Sequence, residues 1–326
     1  MSDKVKWGIL GTANIARYAT IPGIKGAGNA ELFAIAGRNE EKAKSFCQEY
    51  GFKKYYASYE ELLSDKDVEA IYIPLPNSLH KEWVIKALKA KKSVLCEKPL
   101  ALCEADAKEM FDTAEANGVH LMEAYAYLHS PYVKSLQADI KSGIIGDVDF
   151  IDTAFVTQGY KEDIRLYKEL GGGAMYDLGC YCTTMILSLI ESDVESVKAV
   201  AEFTDKGVDA LTTGFVKFRN GARATFNVGM ILGENTASRF DHLFIHGSSG
   251  SITSDVEYNQ SGLLSYKIFG EKGVIERKIE CPHNYMLEIE QLSRCVKSLE
   301  KPYVSREFSL KNASLMDSVF SAIGYC

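Results

Sequence analysis

Over the first 122 residues, short apolar runs alternate with amphipathic stretches. "VKWGIL" (5–10), "AELFAIAG" (30–37), "AIYIPLP" (70–76), "SVLCEKP" (93–99) and "VHLME" (119–123) have the length and apolar density of buried strands. Between them lie "NEEKAKSFCQEYG" (39–51), "SYEELLSDKD" (58–67), "SLHKEWVIKALKAKK" (78–92) and "CEADAKEMFDTAEANG" (103–118), where apolar residues recur at helical spacing. Such alternation predicts an α/β domain, residues 1–122, with a doubly wound parallel sheet covered by helices. Ligands of such sheets sit beyond the carboxyl ends of the strands.

From about residue 124 the pattern changes. A helical stretch at 131–146 leads into "DVDFIDTAFVTQG" (147–159) and then "GGGAMYDLGCY" (171–181), which reads as the start of a helix. Long β-type runs follow at 194–204, 212–230, 241–254 and 263–280, and two helical stretches, 284–300 and 309–324, close the chain. "RNGA" (219–222) is a two-residue hairpin signal. This predicts a second, α+β domain, residues 123–326, built on a large, mostly antiparallel open sheet. It would bind substrate and mediate oligomerisation.

Length and composition narrow the class. A chain of 326 residues suits two domains, and 46% hydrophobic with 25% charged residues is ordinary for a globular protein. A formal net charge of −7 without a Lys/Arg-rich run disfavours nucleic acid and anionic membrane as partners. No run approaches the roughly 18–20 apolar residues of a membrane span, and no signal-type segment opens the chain. The eight cysteines form no CxxC pair and no metal-ligand spacing, which points to a reduced, cytoplasmic protein with no metal site; Cys180 and Cys182 read as small apolar fillers.

Candidate chemistry gathers at the strand ends. In "GILGTANIA" (8–16), read against G-x-G-x-x-G, Gly11 takes the first place, Ala13 the second and Ala16 the third, with Gly8 preceding them in the strand. Gly11 can make the tight turn, and the amides of Thr12, Ala13, Asn14 and Ile15 can cradle a pyrophosphate. At the end of the second strand, "AGRNEEKA" offers Arg38 where an NAD site would have an acid. A guanidinium suits a 2′-phosphate, so NADP is favoured, with NAD as the alternative. In "IPLPNSLHKEWV", Pro74 and Pro76 hold the chain extended, Asn77 or Ser78 can cap the following helix, and His80 lies in its first turn. Pro76, Asn77 and His80 are thus candidate cofactor contacts, although a capped helix with a surface histidine accounts for them equally.

With "CEKP" (96–99) the ordered set Gly8/Gly11, "PNSLH", "EKP" and "GGGAMYDLG" resembles the glucose–fructose oxidoreductase / inositol dehydrogenase (Gfo/Idh/MocA) family over essentially the whole chain. The resemblance implies a Rossmann-like first domain, a nicotinamide cofactor held partly by Glu97 and Lys98, and a second domain whose open sheet face packs against another subunit. Where the family commonly has Asp and then His after the glycines, this chain has Asp177 and Tyr181. That variant resembles the branch of glucose–fructose oxidoreductase, dimeric dihydrodiol dehydrogenase and NADP-dependent xylose dehydrogenases. Carried over by motif, Lys98 and Tyr181 are the catalytic pair, Asp177 is their neighbour, and Arg165 lines the cofactor or substrate cleft. Leu128 stands where related sequences often have Arg, so the substrate does not carry over.

The chemistry is self-consistent. Moving a hydride between nicotinamide and a carbonyl carbon needs a proton donor for the oxygen. Tyrosine, with a reference pKa of about 10, needs a nearby cation such as Lys98 to serve at neutral pH. Asp177, four residues before Tyr181, could orient the lysine or a substrate hydroxyl, and Gly179 between them would keep the approach clear. Tyr125, Tyr127, Tyr160 and His129 are further substrate candidates by position. The expected activity is an NADP(H)-dependent dehydrogenase or reductase acting on CH–OH groups of a sugar, polyol or cyclic diol, in a homodimer or higher homo-oligomer. Two rivals remain: an NAD-dependent glycoside-cleaving enzyme with internal redox, and a non-catalytic dinucleotide sensor. Singly, each residue also has an ordinary reading: a surface lysine, a core-edge tyrosine and an early-helix acid.

Overall fold

The computed structural model describes residues 4–159, 163–233, 239–255, 258 and 261–325. These pack as two compact units, one comprising 1–130 with 282–310 and the other 131–281 with 311–326.

The first unit holds six strands, β1 (Val5–Leu10), β2 (Ala30–Ala36), β3 (Lys54–Tyr56), β4 (Ala70–Ile73), β5 (Ser93–Glu97) and β6 (Leu121–Ala124). Helices α1 (Ile21–Gly26), α2 (Glu40–Tyr50), α3 (Tyr59–Ser64), α4 (His80–Lys89) and α5 (Glu104–Asn117) connect them. All neighbours are parallel in the order β3-β2-β1-β4-β5-β6, the doubly wound Rossmann arrangement that the alternation predicts. The central strands are buried on both faces, which is why β4 (AIYI) is apolar without alternation. Strand β3 has no counterpart among the predicted strands: at three residues on the sheet edge, "KYY" is too short to show a period. Helix starts follow the expected cap chemistry. Asn39 accepts from the Lys42 amide to open α2, and Ser58 accepts from the Glu61 amide to open α3.

In the second unit, α6 (Pro131–Lys141) precedes β7 (Val148–Gln158), and α7 (Cys180–Leu189) precedes seven further strands. These are β8 (Val194–Phe203), β9 (Asp209–Phe218), β10 (Arg223–Leu232), β11 (Phe240–Gly247), β12 (Gly250–Ser254), β13 (Gly262–Gly270) and β14 (Gly273–Cys281). The eight-stranded sheet runs β14-β13-β12-β11-β7-β10-β9-β8 and is antiparallel except between β7 and β10, matching the predicted α+β architecture. Alternation decides its two faces: Val216, Phe218, Ala224, Phe226 and Val228 are buried, whereas Phe215, Ile231, Leu263 and Val274 stand exposed. The hairpin at 219–222 forms with a wider loop than the two-residue signal implies. The Phe218 amide donates to Ala222 O at 2.9 Å, leaving three residues outside the ladder with Gly221 at φ +91°. Arg219 is held outward because its amide donates to Asp193 O at 2.9 Å.

Two late helices complete the units. Helix α8 (Asn284–Val296) packs on the first, where the buried Trp7 indole donates to Ser293 Oγ at 3.0 Å. In α9 (Arg306–Ile323), Arg306 pairs with Asp112 of the first unit at 2.6 Å, while the Thr183 hydroxyl donates to Asn312 Oδ1 within the second at 2.6 Å. Among the described residues no helix is long and apolar enough to cross a membrane.

Candidate active site

The turn after β1 is built from its glycine. Gly11 has φ +105°, a conformation L side chains rarely adopt, and its amide donates to Ala36 O at 2.8 Å, tying the turn to β2. A Cβ on Gly11 would stand 3.2 Å from Leu75 Cδ2 and 3.5 Å from the Tyr59 hydroxyl. The helix that follows passes through a π-helical turn, Ala16–Thr20, before α1. Thr12, Ala13 and Ile15 are half-buried and Asn14 is exposed, and the first amides of a helix have no intrahelical acceptors. Gly8 serves a different purpose. A Cβ there would lie 2.9 Å from Leu62 Cδ2 and 3.1 Å from Val68 Cγ1, so it lets α3 sit close on the sheet.

Arg38, exposed beyond β2, donates a hydrogen bond to the Tyr59 hydroxyl. That phenol is itself fixed edge-on against Trp83, with ring centroids 4.8 Å apart. Burial pushes the Tyr59 pKa up against the pull of the guanidinium, so the hydroxyl stays neutral and acts as acceptor. Arg38 therefore stands beside the Gly11 turn, anchored through a residue that the sequence pattern did not single out.

The loops after β4 and β5 are tied together from inside. Pro76 leads into a single 3₁₀ turn, Asn77–Leu79, and α4 starts without a side-chain cap, so neither Asn77 nor Ser78 caps it. His80 is fully buried, correcting the surface histidine expected there. Its Nδ1 lies 2.9 Å from Pro99 O and its Nε2 2.8 Å from Leu75 O, so the ring is a strut between the two loops. Burial holds its pKa below the ordinary value despite the two carbonyls.

Glu97, which closes β5, accepts a very short hydrogen bond from the buried Tyr72 hydroxyl. Lys98 follows, half-buried. Two buried acids lie in the same unit. Glu123 of β6 accepts from the Leu100 amide at 2.8 Å, and burial raises its pKa to about 7. Glu288 of α8 is fully buried, with no hydrogen-bond partner for either oxygen among the described residues; burial and then the Glu97 charge push its carboxyl well above the usual range.

In the second unit the triple glycine makes a buried turn. Gly171 has φ +74° and Gly173 φ +113°, and a Cβ on Gly173 would fall 2.1 Å from Asp209 Oδ1. Asp209, fully buried at the start of β9, accepts from the Met175 amide at 2.8 Å and from the Thr212 hydroxyl at 2.7 Å. It thereby caps the helix start from a distant strand. Residues Met175–Gly179 form a second π-helical turn, a geometry that recurs at functional sites. A Cβ on Gly179 would lie 2.3 Å from Sδ of the flexible Met175 side chain, which would have to shift to admit it.

Asp177 accepts from Arg165 Nε at 2.7 Å, and Arg165 also donates to Asp163 Oδ1 at 2.9 Å. Tyr181, 8% exposed, lies in an aromatic bed. Its ring centroid is 5.6 Å from Phe155 and 5.1 Å from Tyr258, which stack on each other at 5.1 Å and 10°. The Arg239 guanidinium sits 4.2 Å from the Phe155 centroid and pairs with Asp241 at 2.6 Å. The bed fixes the phenol ring at about 0.5–1.5 kcal/mol per aromatic pair.

The structure thus groups Gly11, Thr12–Ile15 and Arg38, separately ties Glu97, Lys98 and His80 into one loop system, and joins Arg165 to Asp177. Lys98 belongs to the first unit, whereas Asp177 and Tyr181 belong to the second. Tyr125 and Tyr127 are 0% and 2% exposed, and the Tyr125 hydroxyl donates to Glu123. Leu128 and His129 are also buried, and Tyr160 lies outside the described residues. Cys180 and Cys182 are buried, as apolar fillers are. Tyr59, Glu123, Asp209, Tyr258 and Arg239 are additions to the sequence-predicted set. Only Glu123 carried a signal, as a lone acid inside an apolar strand.

Fold and site together define a dinucleotide-binding enzyme with a separate sheet domain. Residues 5–125 match the model of the oxidoreductase family with an NAD-binding Rossmann fold, and residues 133–253 match the GFO/IDH/MocA C-terminal domain. The chain is 32% identical to trans-1,2-dihydrobenzene-1,2-diol dehydrogenase of Xenopus tropicalis, covering 98% of each. It is 30% identical to D-xylose 1-dehydrogenase (NADP(+)) 2 of Haloferax volcanii, covering 97% of this chain and 96% of the other. Among solved structures, KijD10, a 3-ketoreductase from Actinomadura kijaniata in complex with NADP and TDP-benzene, superposes with a TM-score of 0.91 at 28% identity over 98% of each chain. The protein belongs to the Gfo/Idh/MocA oxidoreductase family, whose members named here are dehydrogenases and reductases of sugar or diol substrates.

Proposed function

We propose that the protein is an NADP(H)-dependent oxidoreductase that moves a hydride between nicotinamide and a hydroxyl- or carbonyl-bearing carbon of a sugar, polyol or cyclic diol. The observation that carries this reading is Arg38, an exposed guanidinium held by Tyr59 beside the Gly11 turn, in the place at the end of β2 where an NAD site would have an acid. The residues present fit the cofactor: the amides of Thr12–Ile15 for the pyrophosphate, Arg38 for the 2′-phosphate, and Pro76, Asn77, Glu97 and Lys98 toward the nicotinamide ribose. When bound, the nicotinamide supplies or accepts the hydride.

The protein's own part is proton transfer and orientation. In the reducing direction the Tyr181 phenol gives its proton to the oxygen of the substrate carbonyl as the carbon gains hydride. In the oxidising direction the phenolate takes the hydroxyl proton. Lys98 is the cation that brings this phenol toward neutral pH. The aromatic bed of Phe155 and Tyr258 leaves the ring one orientation, and the Arg165–Asp177 pair presents a fixed carboxylate to a substrate hydroxyl. We also infer assembly with a second copy through the sheet face that exposes Phe215, Ile231, Leu263 and Val274.

Tyr181→Phe tests the assignment. Turnover of aldoses or diols followed at 340 nm should fall about 10²–10⁴-fold with NADP(H) affinity retained. Near-normal turnover would refute Tyr181 as the acid–base.

A further inference from the structure

Glu123 is an expensive residue to place in a buried strand. Its neighbours in β6 are Leu121, Met122 and Ala124, all in the core, and the carboxyl is 2% exposed. A charge-bearing group is kept there when its partners use it. One oxygen accepts from the Leu100 amide at 2.8 Å, two residues beyond Lys98. The Tyr125 hydroxyl donates to the carboxyl, and the Ser309 hydroxyl of α9 faces it. The Lys98 ammonium acts on it through space, and the same ammonium acts on His80, which holds Pro99 O from the other side. The Glu123 charge in turn acts on the buried Cys96 thiol of the neighbouring strand, which the Glu97 charge also raises.

The Lys98–Pro99–Leu100 segment is therefore gripped at two consecutive points, the Pro99 carbonyl by His80 and the Leu100 amide by Glu123. Only Glu123 also carries a charge opposite to that of the lysine. We propose that Glu123 is a positioning residue for the reaction: its carboxyl fixes the segment that carries Lys98 and answers the lysine charge from inside the domain. This rests on the reading of Lys98 as the cation that tunes Tyr181. Glu123 touches neither substrate nor proton donor, and acts through Lys98. An ionised Glu123 raises the lysine's affinity for its proton; a neutral one releases that hold.

Two titrations on the full chain test the coupling without any substrate. In the first, Lys98 acetylation by acetic anhydride is quantified by mass spectrometry across about pH 6 to 11. Glu123→Gln, which keeps an acceptor for the Leu100 amide but removes the charge, should lower the Lys98 midpoint by about one pH unit. In the second, the Glu123 carboxyl is followed by ¹³C NMR of glutamate-labelled protein in Lys98→Met. Its midpoint should rise, because coupling between two sites is reciprocal. The second measurement keeps Glu123 intact and decides the matter even if Glu123→Gln does not fold. Unmoved midpoints would overturn the proposal. In turnover assays Glu123→Gln should reduce kcat about tenfold with little change in substrate KM. Absence of turnover in the unmodified chain would instead count against the proposed function and leave both titrations standing.

Discussion

Two glycine turns open two helices in this chain, and each helix begins through a π-helical turn: Ala16–Thr20 after Gly11, and Met175–Gly179 after Gly173. The turns use glycine for different reasons. At Gly11 the backbone needs a positive φ at a strand end, and the space beyond Cα is bounded by the Leu75 side chain, which can yield, and by the Tyr59 hydroxyl at ordinary contact distance. The amides that follow lie half open. At Gly171–Gly173 all three residues are buried, and the position a Cβ would take on Gly173 is filled by the Asp209 carboxylate. One turn is shaped to receive something; the other is a mount, capped from β9, that sets Asp177 and the Tyr181 ring at fixed positions. A run of small residues before a helix does not say which.

The comparison breaks most visibly on adding a methyl group. Gly173→Ala combines backbone strain of about 1–3 kcal/mol with displacement of a buried carboxylate from its amide, another 1–3 kcal/mol or so. The expected loss is about 3–4 kcal/mol, read as a lower urea midpoint. Gly11→Ala carries only the strain, because Leu75 can yield; it should cost about 1–3 kcal/mol and should weaken dinucleotide binding as well. Equal losses at the two sites would show that the second turn is not held by Asp209.

Much of the first unit was legible because parallel strands buried on both faces, and helices with Asn39 or Ser58 caps, write their limits into local sequence. The strands of the second sheet were legible through alternation, and the hairpin through Asn220–Gly221, although its loop width was set by a distant bond from Arg219 to Asp193. What stayed hidden depends on distance along the chain. Asp209 caps a helix start 34 residues earlier. Tyr59 anchors Arg38 from the far side of β3. His80 looked like a surface residue because nothing local says that two loops close over it. Tyr125 looked available to substrate, yet its hydroxyl is spent on Glu123.

A smaller effect sharpens the first turn alone. If Arg38 recognises a 2′-phosphate, Arg38→Ala should weaken NADP about 10–100-fold, the worth of one charge-assisted contact of roughly 1.5–3 kcal/mol. NAD affinity should stay within about twofold, because Tyr59 and the Gly11 turn remain. Isothermal titration with both dinucleotides gives the ratio directly. An unchanged ratio would return Arg38 to being a solvated strand-end arginine.

The smallest effect sharpens the second turn. The Tyr325 hydroxyl donates to Gly172 O at 2.8 Å, and its ring lies 5.1 Å from Phe320 and 6.0 Å from Tyr176, so the segment after α9 braces the turn in addition to the cap. Burial pushes this phenol up to about 12, so it remains a donor across the working pH range. Tyr325→Phe keeps the ring contacts and deletes one hydrogen bond, worth about 1 kcal/mol, which for a chain of this size corresponds to a Tm lower by about 2–4 °C. Because Asp209 still caps the helix start, Asp177 and Tyr181 stay in place and turnover should change less than about threefold. A loss as large as that of Gly173→Ala would mean that the brace, rather than the buried carboxylate, carries the turn, and the contrast between an open turn and a capped one would have to be redrawn around Tyr325.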